Sequence, residues 1–267
     1  MTVHVTGEVL DSKRVGAYRH LTVVAPGVPE RFRPGTFVAV SLADSAHLAR
    51  RSYWIHRVRT VGGYGAALQL VVEPAGTGGS WLAGLPVGAK LELTGPLGRP
   101  FALPKEPVSC VLVGEDWAAA PLFPLAERLR ERGCAVTLVV AARDEAHLLS
   151  ALEARRSARA VTVVTADGSV GIRGRAADVL VDTFARAAAE VVYAAGPVDT
   201  LHAVAAAAEG QGAWSQTAVA VPQPCATGLC RGCPLPVVGE DGVAREVRAC
   251  TEGPVVRGDR VRWAELG

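Results

Sequence analysis

Two periodicities divide the chain. Up to about residue 103 the apolar positions fall in short β-branched or alternating runs, at 21–24, 36–41, 67–72 and 90–93. Gly and Pro pairs separate them: Pro26-Gly27, Pro34-Gly35, Gly62-Gly63 and Gly95-Pro96. Strands this short, punctuated this closely, predict a small barrel or sandwich. Residues 104–107, bounded by prolines, read as a linker. From Val108 the pattern alternates between two element types. The apolar run 108–113 fits one buried parallel strand, and 121–132 sets Leu122, Leu125, Ala126 and Leu129 on one helical face before Gly133 stops it. Strands at 135–141, 160–165 and 190–194 then alternate with helices at 145–155, 174–188 and 200–209, predicting a doubly wound α/β unit. After Trp214 the periodicity ends and a cysteine-rich tail follows. The expected organisation is therefore a β domain over 1–103, an α/β domain over 104–217 and a small C-terminal segment over 218–267.

Composition narrows the possibilities. Apolar residues make up 49% of the chain, enough to build sizeable cores and too many for a disordered one. Lys and Arg number 28 against 26 Asp and Glu, so the basic excess of an electrostatic nucleic-acid binder is missing. No apolar run approaches the length of about 18 residues that a membrane span needs. The start, MTVHVTGEVLDSKR, has no apolar core of a secretory signal. A cytoplasmic protein is expected, and in that compartment clustered cysteines read as metal ligands or catalytic groups rather than disulfides.

The six cysteines separate into two sets. Cys110 and Cys134 stand in apolar runs, where a buried, inert thiol is expected. Cys225, Cys230, Cys233 and Cys250 form C-x4-C-x2-C followed by one distant cysteine, the plant-type spacing for a [2Fe–2S] cluster. Gly228 and Gly232 suit that chemistry, because small residues let backbone N–H groups approach the sulfurs. A zinc site is the alternative, although zinc ribbons usually offer two C-x2-C knuckles and this chain has one; unliganded thiols are a third. The histidines at 4, 20, 47, 56, 147 and 202 show no ligand spacing and read as surface or satisfied core residues. No Ser/His/Asp arrangement or carboxylate pair calls for a hydrolase.

Further motifs recur in a fixed order. Pro34-Gly35-Thr36-Phe37-Val38 and Gly95-Pro96-Leu97-Gly98-Arg99-Pro100-Phe101 lie in the β domain, and residues 166–174 (ADGSVGIRG) lie in the α/β unit. Ala194-Ala195-Gly196-Pro197 precedes the last helix, and Cys250-Thr251-Glu252-Gly253-Pro254 closes the tail. With these motifs the whole chain resembles the dihydroorotate dehydrogenase electron-transfer subunit family of the ferredoxin–NADP reductase superfamily. The resemblance implies a β-barrel carrying FAD, an α/β domain of the NADH-binding type, and a [2Fe–2S] segment passing electrons to a catalytic flavoprotein subunit in pyrimidine biosynthesis.

The family's flavin signature, Arg-x-x-Ser/Thr, appears as Arg51-Ser52-Tyr53-Trp54. The resemblance assigns Arg51 to flavin phosphate and the nearby Ser52, Tyr53 and Trp54 to the flavin, with Trp54 in place of the usual hydroxyl. A second flavin motif appears as Gly76-Thr77-Gly78-Gly79-Ser80-Trp81-Leu82, so Gly76, Gly78 and Gly79 are further cofactor-binding candidates. Without the resemblance, Arg51 is a solvated or paired barrel arginine and the glycines a hairpin turn. The nucleotide turn departs furthest: Gly114-Glu115-Asp116-Trp117-Ala118-Ala119-Ala120-Pro121 keeps only Gly114 and Ala120-Pro121 of the family's Gly-rich pattern. Ala195 also replaces a cysteine. Two carboxylates aimed at a dianionic ligand and a bulky indole predict that NADH is a poor or absent donor. Two functions follow from these residues: an electron-transfer subunit with [2Fe–2S] and FAD, or a non-catalytic stabilising subunit that keeps only the cluster.

Overall fold

The computed structural model describes residues 2–42 and 49–266, so His47 lies outside the described residues. The first domain is a closed antiparallel barrel rather than a sandwich. Its strands are β1 (Val3–Val15), β2 (Tyr18–Val24), β3 (Phe37–Val40), β4 (Arg51–Val61), β5 (Gly65–Val72) and, after helix α1 (Gly76–Ala83), β6 (Lys90–Leu97). They close in the order β1-β2-β5-β4-β3-β6. Alternation sends Leu21, Val23, Leu68, Leu70, Leu91 and Leu93 into one buried cluster, which fills the barrel. The glycine-rich stretch after β5 is helix α1, not a hairpin turn.

The second domain is built on β7 (Ser109–Glu115), α2 (Leu122–Glu131), β8 (Ala135–Ala142), α3 (Ala151–Ser157), β9 (Ala160–Thr165) and β10 (Ile172–Arg173). It continues with α4 (Leu180–Ala187), β11 (Val191–Gly196), α5 (Val198–Gly210) and β12 (Trp214–Val219). The tail adds the hairpin β13 (Pro234–Val238) and β14 (Ala244–Arg248), the short helix α6 (Ala249–Glu252) and β15 (Val255–Arg257). One seven-stranded sheet runs β10-β9-β8-β7-β11-β12-β15, parallel except where β15 pairs antiparallel with β12. The tail is thus sewn into the sheet.

Three elements differ from the sequence expectation. The helix expected over 145–155 splits, because Asp144 caps a 3-10 turn at Glu145–His147 and Ser150 takes φ +48° before α3 begins. The helix expected over 174–188 starts at Leu180, after a 3-10 turn at Ala176–Val179. Strand β12 lies where the periodicity ends. Ser215, Gln216 and Thr217 look solvent-facing in sequence, yet all three are buried, and Gln216 Oε1 accepts a 2.9 Å hydrogen bond from the Ala102 amide.

A continuous apolar cluster joins the two domains: Tyr18, Phe37, Trp54 and Val71 of the barrel pack with Ala119, Ala120 and Phe123. At its centre lies His56, fully buried. Its Nδ1–H donates to the Ala120 carbonyl at 3.0 Å, and its Nε2 lies 3.5 Å from Glu153 Oε1. Arg57 pairs with Glu153 and, at 2.9 Å, with Glu127. Burial opposes ionisation of Glu153, but His56 and Arg57 outweigh it and hold that carboxyl at about 2. His20 contacts His56 edge-on at 5.8 Å, and its buried Nε2 has no hydrogen-bond partner, so this core histidine is not satisfied. Cys110 and Cys134 are buried as expected, but they are neighbours rather than isolated: desolvation and the Cys134 thiol push Cys110 up to about 12. Among the described residues no helix is long and apolar enough to cross a membrane.

Buried His20 makes the fold acid-sensitive. Burial, then the neighbouring His56, lowers His20 from 6.5 to about 4. The unfolded chain therefore binds more protons between pH 6.5 and 4, and stability falls as pH drops through that window. The Glu153 contribution is complete above about pH 4.5 and is lost only as pH falls toward 2. His20→Phe should remove about 2–3 kcal/mol of the stability loss between pH 6.5 and 4.5. Thermal melts across that range check it, and an unchanged slope would refute the assignment.

Candidate functional site

A groove opens where β4 leaves the barrel rim. Arg51, Tyr53, Glu73, Gly76, Gly78 and Trp117 line a cavity of about 290 Å³. Helix α1 points its first turn at this cavity, and Ala75 at its N-cap offers no side-chain cap, leaving N–H groups for an anion. The Arg51 guanidinium joins them. Among the described residues its hydrogen bonds are two long ones, 3.5 Å to the Ala49 and Arg50 carbonyls, so its fork is largely uncommitted. Gly78 explains why a glycine is needed: a Cβ there would lie 2.7 Å from Arg51 Nε and push the guanidinium away. Gly79 faces the backbone instead, where a Cβ would meet the Glu73 carbonyl oxygen at 2.4 Å. The ring of Tyr53 packs on the barrel core and borders the groove.

A second, apolar cavity of about 250 Å³ adjoins the first and shares Ser52 and Trp117 with it. Phe37, Trp54, Val221 and Pro222 line the remainder. Trp54 is 7% exposed and meets Phe37 edge-on at 6.2 Å, so it forms a wall of this cavity. Ser52 Oγ donates to Gln223 Oε1 at 2.9 Å, and the Arg50 amide donates to the Pro224 carbonyl at 2.9 Å. Gln223, Val221 and Phe37 were not foreseen from the sequence. The nearest available signal was the Pro222-Gln223-Pro224 run immediately before the first tail cysteine.

The cysteine loop is shaped for anionic sulfur. Ala226, Gly228 and Arg231 all take positive φ, at +59°, +84° and +56°. Alternation of this kind turns successive N–H groups inward. Thr227 N–H and Cys230 N–H donate to Cys225 Sγ, both at 3.4 Å, and Gly232 N–H donates to Cys230 Sγ at 3.3 Å. Burial alone would raise Cys225, but these donors outweigh it and hold the thiol at about 6. The sulfurs group in twos. Cys230 is joined to Cys225 Sγ through its own backbone N–H, and Cys233 Sγ lies 3.4 Å from Cys250 Sγ. Among the described residues no three His, Cys, Asp or Glu side chains gather as they would round a single ion.

The turn after β7 is folded in on itself. The sheet reverses direction of growth between β7 and β11, the place where doubly wound folds bind dinucleotides. Glu115 occupies it: Thr200 Oγ1 donates to its carboxyl, and a Cβ on Gly196 would lie 3.2 Å from Glu115 Cβ. Burial pushes the carboxyls of both Glu115 and Asp116 above the usual carboxylate range. The expected repulsion of a dianion by two exposed carboxylates is therefore replaced by simple occupancy, since Glu115 turns inward. Asp116 takes φ +50°, which delivers Trp117 toward the barrel. Ala195 is fully buried in β11.

A barrel of this order set against a sheet of this order is the fold of the ferredoxin reductase class, and here a cysteine segment is added to it. Residues 224–262 match the iron–sulfur cluster binding domain of dihydroorotate dehydrogenase B. The dihydroorotate dehydrogenase B (NAD(+)) electron transfer subunit of Bacillus caldolyticus is 32% identical over 257 residues, covering 94% of this chain and 95% of that one. The corresponding subunit of Desulforamulus reducens is 27% identical over 263 residues, covering 96% and 99%. A solved NADH-dependent reduced ferredoxin-NADP oxidoreductase, described for flavin-based electron bifurcation, superposes with a TM-score of 0.85 at 26% identity, covering 98% of this chain and 91% of that one. The chain belongs to the dihydroorotate dehydrogenase B electron transfer subunit family, and it is the electron-transfer component of an oxidoreductase.

The loop geometry carries its own test. A Cβ on Gly228 would meet Thr251 Cγ2 at 3.0 Å while holding φ +84°. Gly228→Ala should cost about 1–2 kcal/mol from the backbone alone and lower iron retention. Ala226→Gly, at φ +59°, should gain about 1 kcal/mol or be neutral. Urea midpoints and iron content of the two variants distinguish them; equal behaviour would contradict the backbone argument.

Proposed function

We propose that this chain relays electrons between a catalytic flavoprotein of the dihydroorotate dehydrogenase kind and another carrier, through one [2Fe–2S] cluster and one FAD. The observation that carries the reading is the contiguity of the two sites. Gln223 lines the rim of the flavin groove through its bond to Ser52, and Cys225 follows two residues later. Two residues span at most about 7 Å.

In this reading Cys225, Cys230, Cys233 and Cys250 hold the cluster. Thiolates on one tetrahedral metal at about 2.3 Å lie about 3.8 Å apart, close to the 3.4 Å between Cys233 and Cys250. Two pairs of sulfurs suit two bridged irons better than one zinc. The loop N–H groups stabilise the negative sulfurs and so set the potential. Arg51 and the first turn of α1 take the FAD phosphates, with Gly76, Gly78 and Gly79 giving backbone access. Ser52, Tyr53 and Trp54 border the flavin ring. When bound, FAD exchanges electrons singly or in pairs, which lets it join a two-electron partner to a one-electron cluster. The uncapped helix and uncommitted arginine favour a filled groove over a subunit keeping the cluster alone. All six thiols are free, the state a cytoplasm maintains, and cytoplasmic residence belongs to the proposal.

Cys230→Ser should bleach the iron–sulfur absorption, and retention of full iron and colour would overturn the ligand assignment. Arg51→Ala should weaken FAD about 10- to 100-fold, the loss of a charge-assisted phosphate contact, with iron unchanged; unaltered FAD stoichiometry would count against the groove. The relatives are named with NAD(+), whereas Glu115 fills the dinucleotide crevice here. Stopped-flow mixing with NADH should show slow or no bleaching, and fast reduction at low micromolar NADH would show an open site.

A further inference from the structure

The turn that seals the dinucleotide crevice also projects an indole across the domain boundary. We propose that Trp117 is a flavin-binding residue contributed by the α/β domain, its indole closing the groove over the flavin ring. The inference rests on the reading of the Arg51 groove as an FAD site and adds to it a wall from the opposite domain.

Four observations converge. Trp117 is one of two residues that line both cavities, the charged one beside Arg51 and the apolar one beside Trp54. FAD has the matching shape, an anionic pyrophosphate joined to a flat aromatic ring, so a residue at the junction lies beside the ring's near end. Second, the turn is fastened to the barrel and not free to swing. His56 Nδ1–H donates to the Ala120 carbonyl, and Tyr18 of the barrel lies in the same buried cluster as Ala119 and Ala120. Third, the left-handed Asp116 costs free energy in a non-glycine residue, and such strain persists where surrounding structure demands it. Fourth, Trp117 packs against the cluster containing Phe37 and Trp54, which places aromatic surface on two sides of the apolar cavity. Offset stacking of an indole on a flat electron-poor ring is the interaction this arrangement offers.

The geometry gives the α/β domain a different task. At its first turn Glu115 is turned back onto Thr200, and the next side chain but one is handed to the barrel. The flavin ring is covered on this side by protein, which leaves the face toward Val221, Pro222 and Gln223, the approach to the cysteine loop.

The test uses the full-length, FAD-loaded chain and the variants Trp117→Phe, Trp117→Leu and Trp54→Phe. Bound FAD should be strongly quenched in the starting protein. Trp117→Leu, which keeps bulk and loses the aromatic face, should raise the flavin fluorescence several-fold and weaken FAD binding about 3- to 10-fold, as loss of one aromatic contact predicts. Trp117→Phe should recover much of the affinity. Iron content should stay constant in both. If quenching and affinity are unchanged in Trp117→Leu, or if only Trp54→Phe relieves the quenching, the assignment of Trp117 is wrong while the Arg51 groove stands. If the starting protein binds no FAD from solution, the groove reading fails and this proposal with it.

Discussion

The structure depends on a buried polar contact between the domains. His56 rises from a barrel strand into an apolar interface and donates to the last turn before α2. A buried imidazole without partners is costly, so the α/β domain must dock where the Ala120 carbonyl accepts its Nδ1–H and the Glu153 carboxylate approaches its Nε2 to 3.5 Å. Apolar packing between Phe123, Trp54 and Phe37 supplies area but little direction. The histidine supplies the register. Once the interface is set, the turn carrying Trp117, the rim carrying Ser52 and the strand end carrying Arg51 fall around one groove.

Much of this was legible in the sequence because most elements advertise themselves locally. The barrel strands alternate, α2 carries its apolar face at helical spacing, and Gly133 terminates it at φ +81°. The Arg51 and Gly76–Gly79 motifs, far apart in sequence, line one cavity. What escaped has a common cause. Strand β12 is polar in Ser215, Gln216 and Thr217, and it is buried only because β11 and β15 flank it and Gln216 reaches Ala102. The break at Ser150 comes from one left-handed residue that no periodicity reveals. Trp117 reads locally as an obstacle in a nucleotide turn; its place beside Arg51 is a contact across more than sixty residues and a domain boundary. Charges misled in the same way, since the sequence does not show Glu115 turning toward Thr200.

The cysteine segment is held by two different devices. Hydrogen bonds from Ser52 and Arg50 bind its start to the barrel rim, and sheet pairing binds its end to β12. Between those anchors the loop bends through three left-handed residues, with N–H groups turned to sulfur and Ala226 and Cys233 buried in the core. Leu229 at its tip is 86% exposed.

Strand β15 links this segment to colloidal behaviour. It covers the outer edge of the seven-stranded sheet, pairing with Gln216, Thr217 and Ala218. It is three residues long and begins five positions after Cys250, and the Arg99 and Val219 amides donate to the Gly253 and Pro254 carbonyls just before it. Without β15, β12 would bare a row of backbone donors and acceptors beside buried apolar surface. Uncovered edges of this kind template pairing between chains. The three residues of β15 thus decide whether the sheet ends in its own strand or in a neighbour's.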